Sequence, residues 1–90
     1  MVVEVHPRVA RRHPEVTDDE VREAFENSLR FAPRMATDPM QWVGVGVTHA
    51  GRLLEYLAVK PDDPEDWLIF HSMDATTKVK QEVGLERRRR

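Results

Sequence analysis

The sequence contains no cysteine and no long apolar run. The absence of cysteine excludes disulfide bonds, Cys-ligated zinc and thiol catalysis within this chain. No segment approaches the roughly 18 consecutive apolar residues that predict a membrane-spanning helix. Glu4, His6 and Pro7 also stand where a signal peptide would need an apolar core. We therefore expect a soluble, cytoplasmic protein that makes no contact with a membrane.

The sequence also lacks the motifs of several enzyme classes. The four histidines, at positions 6, 13, 49 and 71, show no two-ligand spacing on one element, so we expect no metal site and no cofactor. No glycine pattern opens a helix, which argues against a phosphate-binding loop or a dinucleotide fold. Neither Ser28 nor Ser72 has the setting of a nucleophile elbow, which argues against a serine hydrolase.

The chain has 90 residues, of which 40% are hydrophobic and 33% are charged. This composition predicts one small globular domain over residues 1–90, with residues 85–90 as a flexible basic tail. The net charge of −2 conceals a strong segregation of charge. Acidic residues dominate positions 15–26, where Arg22 is the one basic residue besides them, and positions 62–66, whereas the other arginines and lysines lie elsewhere in the chain. Such segregation of charge permits a local phosphate-binding surface on a mildly acidic protein.

In the first half, valines predict a short strand at residues 2–5, and Pro7 then opens a helical turn that runs to residue 12. Thr17 and Glu20 have the spacing of a capping box, which marks the start of a helix. Apolar residues at helical spacing predict that this helix covers residues 18–30. Pro33 is expected to end the helical region, and residues 33–39 are predicted to form a loop.

The second half predicts three strands and a short helix. In the first strand, residues 40–48, valines alternate with Gly44 and Gly46, so one face is buried and the other admits a close neighbour. The second, residues 52–60, is apolar on both faces and therefore central. The third covers residues 67–73 and places His71 on the same face as Trp67 and Ile69. Asp74 resembles a helix cap, and a helix over residues 75–83 is expected to stop at Gly84.

Two segments of this half resemble the BrnT-like toxins of type II toxin–antitoxin modules. The resemblance covers roughly residues 11–83. The first matching segment contains Gly44, Gly46, Thr48, Gly51, Arg52, Leu53 and Leu54, and the second contains Ile69, Phe70, His71, Ser72, Met73, Ala75 and Lys78.

The resemblance implies a fold of the RelE/ParE type and a ribonuclease activity. The expected fold is α+β: a small single domain with N-terminal helices packed on a three- to four-stranded, mainly antiparallel sheet, followed by a short C-terminal helix. The implied function is a metal-independent endoribonuclease that cleaves RNA and is neutralised by a cognate antitoxin. Such antitoxins are typically ribbon-helix-helix proteins, so contact with DNA is expected only through the complex. A homodimer is also possible, because an edge strand can recruit a second chain.

Metal-independent cleavage of RNA needs a base, an acid and cations that stabilise the phosphate in the transition state. His71 and His13 can exchange protons near neutral pH, and Arg52 and Lys78 can contact phosphate. Each residue also has a structural alternative. Arg52 could pair with Asp62 or Glu55, and Lys78 could be a solvated surface lysine. His71 could be a half-buried histidine that is hydrogen-bonded to the backbone, and His13 could serve capping or packing.

The chain departs from the family pattern at Met73 and Asp74, where BrnT-like toxins often carry arginine. Pro14 also follows His13 where glycine is usual. An acid next to a phosphate path repels substrate, so either Lys78 replaces the missing cation or the activity is weak or lost. The alternative function is therefore a non-catalytic protein- or RNA-binding module with the same fold. Aromatic residues could stack on bases or simply pack in the core; they are Trp42, Tyr56, Trp67 and Phe70.

Overall fold

The computed structural model describes residues 1–63 and 65–87 of the chain. Over these residues it contains five strands and three helices. In chain order they are β1 (Val3–Val5), α1 (Pro7–Arg12), α2 (Asp18–Glu26), β2 (Ser28–Arg34), β3 (Gln41–Val47), β4 (Leu53–Val59), β5 (Trp67–Asp74) and α3 (Thr77–Glu82). Within the same residues, no helix has both the length and the apolar character needed to cross a membrane.

The strands form one mixed sheet in the order β1-β5-β4-β3-β2. Strand β1 runs parallel to β5, and the other neighbouring pairs are antiparallel. The general expectation of a small α+β domain is confirmed, and β4 is central, as its two apolar faces predict. The expected number of three to four strands is wrong, because the described residues contain a fifth strand, β2, at one edge.

Strand β2 occupies sequence that we predicted as helix and loop. The capping box of Thr17 and Glu20 is present, so the start of α2 is as expected. The helix ends at Glu26, however, and the chain from Ser28 pairs with β3 instead of continuing to residue 30. Pairing with β3, the next strand along the chain, overrides the local helical spacing here. Pro33 is tolerated within β2 because an edge strand does not need every backbone N–H for pairing.

The two faces of the sheet carry separate apolar clusters. Helices α1 and α2 cover one face, where the cluster contains Val5, Val9, Val16, Val21, Ala24, Leu54, Tyr56, Ala58 and Ile69. Helix α3 covers part of the opposite face, where the cluster contains Val43, Val45, Val79 and Val83. Leu85, in the predicted flexible tail, packs against this second cluster. Positions 88–90 of that tail lie outside the described residues.

The glycines of β3 allow close packing, as predicted. A Cβ atom on Gly46 would overlap the backbone carbonyl of Ala24, so α2 can approach the sheet only because this position has no side chain. A Cβ atom on Gly44 would overlap the ring of Tyr56 on β4. Val43, which precedes Gly44, and Val45, which lies between the two glycines, are buried on the other face.

A register shift in β5 changes the face on which His71 lies. Leu57 on β4 is opposite His71, but the next residue, Ala58, is opposite Ile69, which leaves Phe70 as an extra residue in β5. Such a bulge reverses the alternation that follows it. His71 therefore shares the α3 face with Leu57, and the prediction that it lies with Trp67 and Ile69 is wrong.

The start of α3 also differs from the prediction. Asp74 is the last residue of β5 rather than a helix cap. The cap is Thr76, whose side chain accepts a hydrogen bond from the backbone N–H of Val79. Gly84 follows the C-terminal cap with a φ of 80°, which agrees with its predicted role as a helix stop.

Candidate active site

A carboxylate that our sequence analysis did not select lies at the centre of the site. Glu55 is on β4, on the face covered by α3, and its side chain is 8% exposed. One carboxylate oxygen, Oε1, accepts hydrogen bonds from the backbone N–H of Thr76 at 2.9 Å and from its hydroxyl at 2.7 Å. The other oxygen, Oε2, lies 2.9 Å from Nε2 of His71. Both oxygens of Glu55 are therefore held in place.

The environment of Glu55 keeps its carboxylate ionised. Burial raises the pKa of the Glu55 carboxyl, but the hydrogen bonds from His71 and Thr76 outweigh burial, and the net pKa lies below its ordinary value. An ionised carboxylate only accepts hydrogen bonds, so Nε2 of His71 must donate the proton in their contact. Nδ1 of a neutral His71 ring is then the nitrogen that carries a free lone pair.

His13 lies against His71. The centroids of the two imidazole rings are 5.6 Å apart, and the ring planes are nearly perpendicular at 85°. The fold explains this proximity, because β1 pairs with β5 and the next residue, His6, donates its backbone N–H to Ile69. Helix α1 then runs beside the remainder of β5 and ends with His13 as its C-terminal cap. Two histidines that are 58 positions apart in sequence thus meet at one edge of the sheet.

Both imidazole rings are accessible to solvent. The side chain of His13 is 24% exposed and that of His71 is 26% exposed. Nδ1 of His13 is 3.6 Å from a carboxylate oxygen of Glu15, which is a longer contact than the one between His71 and Glu55. Two partly exposed imidazoles, one of them bonded to a buried carboxylate, can accept a proton from a bound molecule and donate a proton to it.

Arg52 makes three contacts that connect separate parts of the fold. Its Nε donates to a carboxylate oxygen of Asp74 at 2.6 Å, and its Nη1 donates to the backbone carbonyl of Glu15 at 2.9 Å. Nη1 also lies 3.4 Å from a carboxylate oxygen of Glu20 on α2. The alternative partners that the sequence suggested, Asp62 and Glu55, are not the partners of Arg52 in the described residues.

These contacts change the interpretation of both Arg52 and Asp74. The hydrogen bond from Arg52 lowers the pKa of the Asp74 carboxyl, so the acid is ionised and its charge is compensated. Asp74 is therefore not an isolated negative charge. Conversely, the guanidinium of Arg52 is not free, because a phosphate would have to compete with two carboxylates.

Lys78 is an exposed residue in the first turn of α3. Among residues 1–63 and 65–87, it forms no hydrogen bond or ion pair with His13, His71 or Glu55. The contact between α3 and the site comes instead from Thr76, which both caps the helix and binds Glu55. Of the four residues selected from the sequence, the structure brings His71 and His13 together and ties Arg52 to acidic partners nearby.

No protein-family model, curated protein or solved structure matches this chain. Within the described residues, no group of three or more His, Asp or Glu side chains is arranged to hold a metal ion. The chemistry that the site offers is proton transfer by two imidazoles, one of which is oriented by a buried carboxylate.

The aromatic residues form a separate feature on the face covered by α2. A cleft of about 350 Å³ has five aromatic side chains in its lining, namely Phe25, Phe31, Trp42, Tyr56 and Trp67. The Nζ atom of Lys60 lies 4.9 Å from the centroid of the Trp67 ring. Phe70, which we also considered for base stacking, does not line this cleft. His71 lies on the opposite face, so these rings do not belong to the histidine site.

Proposed function

We propose that this chain is a metal-independent endoribonuclease of the BrnT-like toxin type, with His71 and His13 as its proton-transfer residues. The observation that carries the proposal is the contact between the two imidazoles together with the hydrogen bond between His71 and buried Glu55. Both histidines lie in the part of the chain that resembles BrnT-like toxins, roughly residues 11–83. Their proximity supports the same reaction that the resemblance implies, because cleavage of RNA needs one base and one acid.

In the proposed reaction, Nδ1 of His71 takes the proton of a ribose 2′-hydroxyl while the 2′-oxygen attacks phosphorus. The bond between phosphorus and the 5′-oxygen breaks, and protonated His13 supplies a proton to that leaving oxygen. The products are a 2′,3′-cyclic phosphate and a 5′-hydroxyl. The carboxylate of Glu55 orients His71 and stabilises the imidazolium that forms when His71 takes the proton. Lys78 remains the proposed phosphate contact on α3.

The exposed edge of the sheet supports a protein partner, as the toxin–antitoxin interpretation requires. Strand β2 is the last strand on its side, and Leu29 and Phe31 are 43% and 59% exposed on it. An edge strand with exposed apolar residues is suited to contact with another chain. We propose that a cognate antitoxin, expected to be a ribbon-helix-helix protein, neutralises the chain and provides its contact with DNA.

The second candidate function is a non-catalytic protein- or RNA-binding module. The observation that favours it is the engagement of Arg52, because the cation expected to stabilise the transition state is bound to Asp74 and Glu20. In that case RNA or protein binding would persist while no cleavage occurred. The two candidates therefore differ in whether RNA is cut.

Induced expression in a host without an antitoxin tests the proposal. We expect the wild-type chain to arrest growth and to produce discrete new RNA ends, and we expect His71→Ala to do neither. His49→Ala is the matched control, because His49 lies outside the site in the turn before β4 and its side chain is 75% exposed. Normal growth and intact RNA, with soluble wild-type protein present, would favour the binding module. Equal arrest by wild type and His71→Ala would remove His71 from the mechanism.

A further inference from the structure

Three arginines lie on one face of α1, directly before the histidine site. Arg8, Arg11 and Arg12 have the i, i+3, i+4 spacing that places side chains on the same side of a helix. Together with His6 they line a depression of about 470 Å³. Arg11 and Arg12 are exposed, and Arg8 is partly buried. We call these three arginines the basic face of α1.

The basic face of α1 differs from three other arginines of the chain in its lack of acidic partners. Arg22, Arg34 and Arg52 each form an ion pair with an aspartate or glutamate. In residues 1–63 and 65–87, no such ion pair involves an arginine of the basic face. Three adjacent guanidinium groups without counter-charges repel one another, and an anion that lies between them relieves this repulsion.

The position of this face connects it with the proposed chemistry. Helix α1 ends at Arg12, and the next residue is His13, whose ring contacts His71. Arg8 and Arg12 are four residues apart, which is about 6 Å along the helix axis. A chain of phosphates that reaches the histidines from the side of α1 would therefore pass the basic face first. Arg52, by contrast, is occupied by carboxylates.

We propose that the basic face of α1 binds the phosphodiester backbone of the RNA substrate next to the bond that is cleaved. This proposal rests on the proposed ribonuclease function for the identity of the ligand, but it concerns binding and not proton transfer. Guanidinium groups bind phosphate oxygens through paired hydrogen bonds and carry no preference for a base. The basic face of α1 therefore positions the RNA strand. In this proposal α1, and not Arg52, provides the phosphate contact that the sequence suggested for Arg52.

The test measures binding of a fluorescent single-stranded RNA whose 2′-hydroxyls are methylated, so that it cannot be cleaved by attack of the 2′-oxygen. Fluorescence anisotropy gives the Kd at several salt concentrations for the wild-type chain and for the double variant Arg11→Gln/Arg12→Gln. Loss of two phosphate contacts is expected to weaken binding roughly 50-fold at about 0.05 M salt and to reduce the slope of log K against log salt by about 1.4.

The matched control is the double variant Arg30→Gln/Arg87→Gln, which removes the same charge from two exposed positions outside α1. The proposal requires that this control retains most of the affinity and of the salt slope. An equal loss in both double variants would show only general attraction to positive charge and would overturn the proposal. Unchanged binding in Arg11→Gln/Arg12→Gln, or no binding by the wild type, would also overturn it.

A parallel cleavage assay separates this proposal from the proposed function. If Arg11→Gln/Arg12→Gln loses affinity as expected, and His71→Ala binds the methylated RNA normally but does not cut unmodified RNA that the wild type cuts, both proposals hold. If the wild type binds through the basic face but never cuts RNA, the phosphate site stands and the ribonuclease function fails. If RNA is cut but the basic face contributes nothing to binding, the ribonuclease stands and the phosphate site fails. Circular dichroism confirms that each variant is folded.

Discussion

Replacement of Glu55 by glutamine tests whether the buried carboxylate organises the site. The substitution retains the size of the side chain and leaves an amide oxygen that can accept both hydrogen bonds from Thr76. The amide NH2 group then faces Nε2 of His71 and donates to it. The neutral imidazole must respond by carrying its proton on Nδ1, which is the nitrogen proposed as the base. We therefore expect RNA cleavage to fall by roughly 10²- to 10⁴-fold, the usual contribution of a positioned acid or base.

The same substitution has a calculable effect on stability. Three hydrogen bonds to a carboxylate become weaker bonds to a neutral amide, and this loss is partly offset because a charge no longer has to be buried. We estimate a net loss of about 2 kcal/mol in the free energy of unfolding. For a domain of this size, such a loss lowers Tm by roughly 8 to 16 °C.

The stability difference should depend on pH in one direction. The pKa of the Glu55 carboxyl is lower in the folded chain than its ordinary value of 4.5. Its ionised form therefore stabilises the fold fully above about pH 4.5, and this stabilisation is lost as the pH falls through the lowered pKa. Urea denaturation at a series of pH values should show the largest difference between wild type and Glu55→Gln at pH 7, and this difference should shrink as the pH falls below about 4.5.

Glu4→Gln is the matched control for charge, because Glu4 is exposed on β1. We expect this variant to match the wild type in cleavage and in stability. If Glu55→Gln cleaves RNA as rapidly as the wild type, Glu55 does not orient the base. If its stability is also unchanged at pH 7, the hydrogen bonds to His71 and Thr76 contribute nothing to the fold.

Two other substitutions test the packing and the role of Arg52. Gly46→Ala is expected to lower the free energy of unfolding by about 3 kcal/mol or more, because the new methyl group overlaps the backbone of Ala24 and forces α2 away from the sheet; an unchanged urea midpoint would contradict this packing. Arg52→Ala is expected to lower Tm, because Arg52 joins α2, β4 and β5. It is also expected to raise the pKa of the Asp74 carboxyl, because the hydrogen bond from Arg52 that lowers this pKa is lost. If Arg52→Ala has the Tm of the wild type but no longer cleaves RNA, Arg52 acts on the substrate rather than on the fold.

Local signals in the sequence predicted the elements whose causes are local. The capping box of Thr17 and Glu20 located the start of α2, and alternating glycines and valines identified β3 and its buried face. The end of α2 was missed because Ser28 and the residues after it pair with a strand that lies farther along the chain. Helical spacing alone cannot distinguish that edge strand from a longer helix.

The site could be predicted only in part for the same reason. His13 and His71 were found from the resemblance, but their contact depends on α1 running beside β5. Glu55 was missed, although a single acid in the apolar strand β4 was a usable signal, because a buried carboxylate needs partners. Those partners, His71 and Thr76, are 16 and 21 positions away, and the bulge at Phe70 that turns His71 towards Glu55 has no local sequence signature.

The chemical nature of the ends formed in vitro tests the central claim most directly. Purified chain is incubated with a defined RNA in the presence of EDTA, and the products are identified by mass spectrometry. Proton transfer by His71 and His13 predicts a 2′,3′-cyclic phosphate on one product and a 5′-hydroxyl on the other, with both lost in His71→Ala and in His13→Ala. Intact RNA with folded wild-type protein, or cleavage that survives both substitutions, would contradict the assignment of this site as a ribonuclease.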